Sequence, residues 1–419
     1  MIKMAYLKNL NRTFRANWVR MLIIASMTAI SIGLVGGVGA LSPRIRATHE
    51  YLRNSIDWEA LTEAEYAFYT EWLYGIEFAA NGMEQLSFVF PAFFILVTCL
   101  VVFMTITRMI ETERVQIGIM KTLGYSRHYI VFKYMAFTLV AGIIGNVIGV
   151  VLAHYAVQPV LFNAVISHFS LDSGTAPAVP VFDMVTALLM LGFMLGVTGF
   201  TVHRIADAKP ARLLRPRSPK AGGKIIIEHF PALWNRLAFR YKSSLRNIFR
   251  YRVRLFMTVF SMLFSTALVF MGLALSFAME YTDPEIMGAI RPISSMIIVC
   301  AVLLNAMVIY NITNINIDER RREIATLKVL GYRNIEVVGY VYREILMLTV
   351  IGVVLGLPVG YGLMAMLFDM LDFGGIQYVK WYVWVITTAL TLTSLALADL
   401  LLFRKIHKTD MVGCLKHIE

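Results

Sequence analysis

Apolar and charged positions are sharply segregated along the chain. Eight stretches of about 18 residues or more contain no Asp, Glu, Lys or Arg. A helix needs about 20 apolar residues to cross the hydrocarbon core of a bilayer, so each stretch predicts one membrane-spanning helix. The predicted spans lie near residues 21–42, 88–107, 134–157, 184–202, 255–279, 292–317, 345–368 and 381–398. The pattern predicts an all-α polytopic membrane protein.

One segment between the spans occurs twice. It reads IGIMKTLGY at 117–125 and IATLKVLGY at 324–332, an offset of 207 residues. In each copy the preceding span continues into charged residues without Pro or Gly, which predicts a helix that projects from the membrane as a stalk. A short helix then ends at Gly124 or Gly331, because glycine suits the left-handed residue after a helix. The repeat indicates an internal duplication.

The duplication divides the chain into two halves, each with one span, an outer loop and three further spans. The first half covers residues 1–215, with its outer loop at 43–87. Residues 216–231 form a linker that contains Pro and Gly, and the second half covers 232–419. Because the halves run in the same orientation, we expect their symmetry axis to lie along the membrane normal.

The distribution of positive charge predicts the orientation. With an inside N-terminus, 34 of the 39 Lys and Arg residues fall in inner segments, whereas the outer segments carry more acidic than basic residues. Basic residues accumulate on the cytoplasmic side of membrane proteins, so both termini are predicted to be cytoplasmic. The net charge of +12 is explained by this bias. It leaves no basic face for nucleic acid.

Two basic amphipathic segments precede the first span of each half. Residues 7–18 and 233–250 place apolar side chains at helical spacing beside Arg and Lys. Such helices lie along the inner leaflet with their charges toward anionic headgroups, which makes membrane lipids a predicted partner. The alternative is a basic surface that faces a protein partner.

The first outer loop is short and acidic. Thr62 and Glu65 have the spacing of a capping box, which predicts a short helix that ends near Gly75 and carries aromatic residues. Anchoring at the membrane interface is the favoured interpretation of those aromatic residues over contact with a substrate.

Catalytic, cofactor-binding and metal-binding patterns are not found in the sequence. It contains no G-x-x-x-x-G-K-[ST], no H-E-x-x-H and no G-x-S-x-G. His154 is interpreted as a packed interior residue, and Glu344 and Asp399 lie too near the ends of spans to predict a proton relay. The chain is therefore not expected to be an enzyme.

The repeated segments, in the general form I-x-x-x-K-x-L-G-Y, resemble the FtsX-like permeases of ABC transporters, the mechanotransmission class. The segment 311–331, the linker at 214–222 and the C-terminal segment 404–419 look like the long duplicated permeases of Gram-positive bacteria. The chain departs from them in its short first outer loop, where long members carry a large extracellular domain. It also has Gln116 where the second copy has Glu323.

The resemblance implies a permease that pairs with two copies of a cytosolic ABC ATPase, in the cytoplasmic membrane of a bacterium. It implies that ATP and Mg²⁺ are bound by the ATPase, and that this chain holds no cofactor. The stalk-and-turn segments would be the coupling elements. The residues predicted to couple to the ATPase are Glu113, Arg114, Ile117, Lys121, Leu123, Gly124, Arg321, Glu323, Ile324, Lys328, Leu330 and Gly331.

Two functions remain open at this stage. The first is export or extraction of an amphipathic substrate, such as a lipid, peptide or drug. The second is a signalling subunit that controls an extracellular partner, such as a cell-wall hydrolase, without moving a substrate; an accessory protein or lipoprotein would then supply the missing outer domain. A secondary transporter ranks third. It requires ionisable residues and broken helices at mid-membrane, and the sequence shows neither.

Overall fold

The computed structural model describes residues 2–168, 180–214, 252–278, 284–371 and 375–407, together with isolated positions between 228 and 249. Most of the predicted linker, the second amphipathic segment and the tail beyond residue 407 lie outside the described residues. The first-half helices are α1 Ile2–Ala16, α2 Trp18–Gly39, α3 Leu41–Ser55, α4 Glu63–Thr112, α5 Arg114–Thr122, α6 Arg127–Leu152, α7 Gln158–His168, α8 Pro180–Ala206 and α9 Pro210–Leu214. Those of the second half are α10 Arg252–Ala278, α11 Pro284–Glu319, α12 Arg321–Val329, α13 Asn334–Leu371 and α14 Trp381–His407.

Within the described residues, eight helical stretches are long and apolar enough to cross a membrane, as predicted. They are Trp18–Ser55, Glu63–Thr112, Arg127–Val165, Phe182–His203, Leu255–Ala278, Arg291–Glu319, Glu336–Met370 and Trp381–Phe403. Each contains one predicted span, and the chain is a multi-pass, all-α membrane protein across the described ranges. The third stretch contains a π-helical turn at Ala153–Val157, between α6 and α7.

Four helices, α2, α4, α10 and α11, form the centre of the bundle. The first membrane-spanning helices of the two halves, α2 and α10, are the most deeply buried of the spans. Helix α2 contacts α11, α10 contacts α4, and α4 contacts α11, so the two halves meet through equivalent pairs. Helices α6, α8, α13 and α14 lie around this centre, and many of their large apolar side chains are exposed, as lipid-facing helices require.

Glycines allow the third membrane-spanning helix of each half, α6 or α13, to pack closely against the first, α2 or α10. A Cβ added to Gly352 on α13 would lie 2.4 Å from the Met262 Cβ on α10, and one on Gly356 would lie 2.7 Å from the Leu263 carbonyl oxygen. Small residues permit such close helix packing in membranes. The first half repeats it, with Gly145 against Thr28 and Gly149 against Ile32.

The outer part of the first half is a helical hairpin, not a loop with one short helix. Helix α3 packs along the beginning of α4, and Arg46 of α3 contacts Asn81 at 3.1 Å and pairs with Glu84. The Thr62 capping box is confirmed, because its hydroxyl accepts from the Glu65 amide at 3.4 Å. The predicted end at Gly75 is wrong, since α4 continues through it to Thr112. A glycine inside a helix costs only about 1 kcal/mol, which packing against α3 can offset.

Candidate coupling site at the stalk end

The end of the bundle at which α4 and α11 terminate is called the stalk end; the opposite end, with the α3–α4 hairpin, is the hairpin end. At the stalk end each long helix breaks at a single residue and then continues as a short helix. The break lies at Glu113, with φ −91° and ψ 10°, and at Arg320, with φ −100° and ψ 9°. These two residues, 207 positions apart, are called the elbow residues. Their matching backbone angles show that the two halves repeat the same local structure.

Each short helix ends in the turn predicted from its glycine. Gly124 has φ 84° and Gly331 has φ 89°, the left-handed conformation that glycine adopts without strain. The Gly331 amide donates to the Lys328 carbonyl at 3.1 Å, and the next amide, of Tyr332, donates to the Leu327 carbonyl at 3.1 Å. This pair of bonds is the Schellman motif, and the first half has the same pair after α5. The predicted turn is confirmed in both halves.

The turns expose an apolar tip. Leu123 is 71% exposed and Leu330 is 69% exposed, whereas Ile117 and Ile324, one to two turns earlier, are buried against the bundle. Each short helix is thus fixed by one face and presents large apolar side chains on the other. The coupling tips, as these surfaces are called below, consist of Val115, Ile119 and Leu123 in the first half, and of Val329, Leu330 and Tyr332 in the second.

The two predicted lysines lie within the chain's own packing. The Lys121 ammonium donates to the Ala208 carbonyl at 2.6 Å, and α5 rests on α9. Lys328 is buried, and desolvation lowers the pKa of its ammonium group. Neither lysine is among the exposed apolar residues that form the coupling tips, although both were predicted to couple to the ATPase. For Lys121 the sequence could not reveal this, because Ala208 lies 87 positions away along the chain.

The remaining predicted residues surround the elbows. Arg114 is half-buried in the first turn of α5. Glu323 is exposed, and its carboxylate lies 4.0 Å from the Arg320 guanidinium. The side chain of Arg321, which opens α12, lies outside the described part of the chain.

The elbow residue of the first half is held by the next membrane helix. Lys133 of α6 donates to the Glu113 carboxylate at 2.6 Å, and the Tyr134 hydroxyl donates to the same oxygen at 3.0 Å. Asn17, at the start of α2, donates to the other carboxylate oxygen at 3.2 Å. The Lys133 side chain is 2% exposed. This is therefore a buried ion pair with hydrogen bonds to both carboxylate oxygens.

The elbow residue of the second half has the opposite charge and is held in the same way. The Arg320 guanidinium pairs with the Glu344 carboxylate of α13, and the two side chains are 4% and 2% exposed. Arg320 also lies over the Tyr340 ring, 5.6 Å from its centroid. Sequence reasoning missed these pairs. The available signal was a charged residue at the beginning of spans three and seven, Lys133 and Glu344.

A polar network joins the two halves at the stalk end. Arg20 donates to the Asn17 side chain at 2.9 Å and lies 3.5 Å from the Asp318 carboxylate of the second half. Arg108 of α4 pairs with Glu319 of α11 at 2.8 Å. Asp318 and Glu319 immediately precede the second elbow residue, so the network links the two elbows across the centre of the molecule.

The hairpin end shows less symmetry. In the first half the buried Asp183 carboxylate accepts from the Gln158 amide at 2.9 Å, and Gln158 also donates to the Gly36 carbonyl at 3.3 Å. The π-helical turn that contains His154 directly precedes Gln158.

The corresponding place in the second half is aromatic. The offset between the halves is 234 at the first span, where Arg20 matches Arg254, and 201 at the last, where Ile205 matches Ile406. By these offsets and that of 207, Gly36, Asp183 and His154 correspond to Phe270, Trp384 and Tyr361. The Trp384 ring lies 5.2 Å from that of Phe270 and 5.7 Å from that of Tyr361.

The comparisons with known proteins identify one family. A family model described as FtsX-like permease C-terminal matches the chain twice, at residues 88–204 and 295–410. The two matches lie in the two halves and together cover more than half of the chain. Each begins near a long stalk helix and includes the elbow and the turn that follow it. No curated protein and no solved structure gives a significant match.

Proposed function

Because the chain belongs to the FtsX-like permease family, we propose that it is the transmembrane permease subunit of an ABC transporter. In this role it couples ATP binding and hydrolysis in separate ATPase subunits to a rearrangement of its membrane helices. The family implies association with an ABC ATPase. In this proposal the stalk end faces the cytoplasm, both termini are cytoplasmic, and the ATPase binds ATP and Mg²⁺.

The observation that supports this role most directly is the pair of coupling tips. Each tip presents a large apolar side chain to solvent at the end of a short helix whose other face is fixed to the bundle. Burying one leucine in a partner's groove contributes about 1.5–3 kcal/mol, so two tips give a substantial docking energy. Their equivalent backbone geometry suits two copies of one ATPase.

The proposed cargo is an amphipathic molecule, such as a lipid, peptide or drug, that is exported or extracted from the membrane. A shallow groove of about 390 Å³ lies on α14 beside Trp384 and Leu392, and its walls are mostly apolar. Its lining residues all lie on this one helix, so the groove is part of the lipid-facing surface and does not select among these cargoes.

The second candidate function is mechanical signalling to a partner outside the membrane, such as a cell-wall hydrolase, without transport. The α3–α4 hairpin favours it, because α4 continues without a break from the hairpin to the stalk end. An accessory lipoprotein or other extracellular protein would bind at the hairpin end.

The test of coupling is reconstitution in lipid nanodiscs with the ABC ATPase that copurifies with this chain from its native membrane. We expect the Leu123→Asp, Leu330→Asp double variant to lose ATPase binding and stimulation of ATP hydrolysis, because a charge replaces the apolar contact. Leu123→Met with Leu330→Met is the matched control, since it keeps the apolar volume. Normal binding and stimulation by the aspartate variant would contradict the assignment of the tips.

Transport and signalling are separated with proteoliposomes that contain only the chain and its ATPase. ATP-dependent removal of a fluorescent lipid or peptide from the bilayer supports extraction. A complex that hydrolyses ATP but moves no such probe, and that binds a purified outer partner in a nucleotide-dependent way, supports signalling instead.

A further inference from the structure

We infer that the buried ion pairs at the two elbows make each coupling tip act on two membrane helices at once. The pairs are Glu113 with Lys133, and Arg320 with Glu344. Each is a positioning element that transmits the displacement of a tip to the helix after it, and not only to the stalk before it. This inference rests on the proposed function of the tips.

The geometry at each elbow is a closed triangle. The stalk is joined to the short helix by one non-helical residue, and the short helix is joined to the next span by the glycine turn. The ion pair forms the third side, from the elbow residue to Lys133 in the second turn of α6 or to Glu344 about three turns into α13. Without it, the elbow residue would be connected to the next span only through the packing of the short helix and the glycine turn, and a displacement of the tip would act mainly on the stalk.

The two halves give an internal comparison. The elbow residue is acidic in the first half and basic in the second, yet each pairs with an opposite charge on the following span. By the offset of 207, Lys133 corresponds to Tyr340, and Glu344 corresponds to Phe137. Residues four apart lie on one face of a helix, so both partner positions face the elbow. What the halves share is the pair, whereas the sign of its charges is exchanged.

Burial explains why the pair cannot be replaced by an unpaired charge. Removing one partner of a buried ion pair leaves the other charge uncompensated, whereas an exposed pair contributes little. The elbow pairs are almost fully enclosed, in contrast to Arg46 with Glu84 on the hairpin, whose side chains are 53% and 43% exposed. Removing one partner of an ion pair is therefore expected to disturb the structure at the elbow but not on the hairpin.

The test uses charge exchange in the reconstituted complex. We expect Arg320→Glu alone, or Glu344→Arg alone, to keep ATPase binding through the tips. Stimulated ATP hydrolysis should fall by about threefold to thirtyfold, the range found for mutations that change the coupling between distant sites. Combining both substitutions restores the pair with reversed polarity and should recover most of the activity. Glu344→Gln, which introduces no charge repulsion, is the milder variant used if the single reversals fail to insert.

A transplant of the first elbow into the second provides the sharper test. Arg320→Glu, Tyr340→Lys and Glu344→Phe together give the second half the residues of the first at these positions. We expect this triple variant to stimulate ATP hydrolysis nearly as well as the wild type, whereas Arg320→Glu with Glu344→Phe, which lacks the lysine, should not. Arg46→Glu, which breaks the exposed pair, is the control and should leave stimulation unchanged.

The outcomes separate this inference from the proposed function. If the wild-type chain neither binds nor stimulates the ATPase, the proposed function fails. If the wild type is active and the unpaired variants are equally active, the elbow pairs transmit nothing and the inference is wrong. It is also wrong if the re-paired and transplanted variants fold and bind but remain uncoupled. Loss of coupling with retained binding, together with recovery on re-pairing, supports it.

Discussion

At Gly331, glycine is required by the backbone conformation of the turn and not by a lack of space for a side chain. A Cβ placed there would meet no atom within 4 Å, yet φ is +89°. A side chain in this conformation costs about 1–2 kcal/mol, and a β-branched one is the least compatible with it. Gly124 has the same open surroundings and the same sign of φ. The glycines therefore determine the direction in which each tip points.

We expect Gly331→Val to reduce ATPase binding, because the strained turn would move Leu330 away from its docking position. Gly331→Asn is the matched control, since asparagine tolerates the left-handed conformation. Binding of the purified ATPase to each variant in nanodiscs, measured by biolayer interferometry, checks the prediction. Equal binding by the valine and asparagine variants would show that the turn geometry is not needed.

At the residue scale, sequence reasoning succeeded where the cause is local. The glycine turns and the capping box at Thr62 depend on a few neighbouring residues, and the structure confirms both. The contact between Lys121 and Ala208 and the pair between Arg320 and Glu344 join helices or loops that meet only in the folded chain. Those features could not be read from spacing alone.

Helix α13 packs against α10 through one glycine face, and this contact holds the outer helix of the second half to the centre. Gly352, Gly356 and Gly360 lie on that face at intervals of four residues, and an added Cβ at each would come within 3.1 Å of an atom of α10. Gly362 lies on the same helix with no atom within 4 Å of an added Cβ. One helix therefore offers both a packed and an open glycine.

We expect Gly356→Val to lower the thermal stability of the purified protein in detergent, because overpacking in a close contact costs about 1–3 kcal/mol. Gly362→Val should leave it nearly unchanged. The measurement is the temperature at which the monomer peak is lost in fluorescence-detected size-exclusion chromatography. A larger loss at Gly362 than at Gly356 would contradict the packing described for α13.

At the element scale, the sequence predicted the spans and the short helices but not the hairpin. Runs of apolar residues mark a membrane helix strongly, so all eight were found. The outer part of α4 mixes acidic, aromatic and small residues, and Gly75 resembles a helix end. Its continuation depends on packing against α3, which lies earlier in the chain.

The whole molecule has two halves that meet at the centre of the bundle. Arg20 with Asp318 and Arg108 with Glu319 cross between the halves at the stalk end. At the hairpin end, residues 56–62 connect α3 to α4. The orientation of this bundle in the membrane remains a prediction from its basic residues.

We expect a reporter that is active only in the cytoplasm to work when fused after Glu419 or inserted near Gly222. Inserted after Trp58, in the turn of the hairpin, it should be inactive, whereas alkaline phosphatase at the same position should be active. The turn is the appropriate site because an insertion there leaves α3 and α4 intact. Cytoplasmic activity at Trp58 would reverse the predicted orientation.

The two halves are alike at the stalk end and different at the hairpin end, and this difference bears on how many partners each end can bind. The elbows and glycine turns are matched at the stalk end. At the hairpin end, the first half carries a helical hairpin and the polar group of Asp183 and Gln158, and the second half has a short connection between α10 and α11 and an aromatic cluster in place of the polar group. The molecule thus carries two equivalent features at the stalk end and one hairpin at the hairpin end. We therefore expect a partner that binds the hairpin to do so once per chain, in contrast to the two equivalent docking positions proposed at the stalk end.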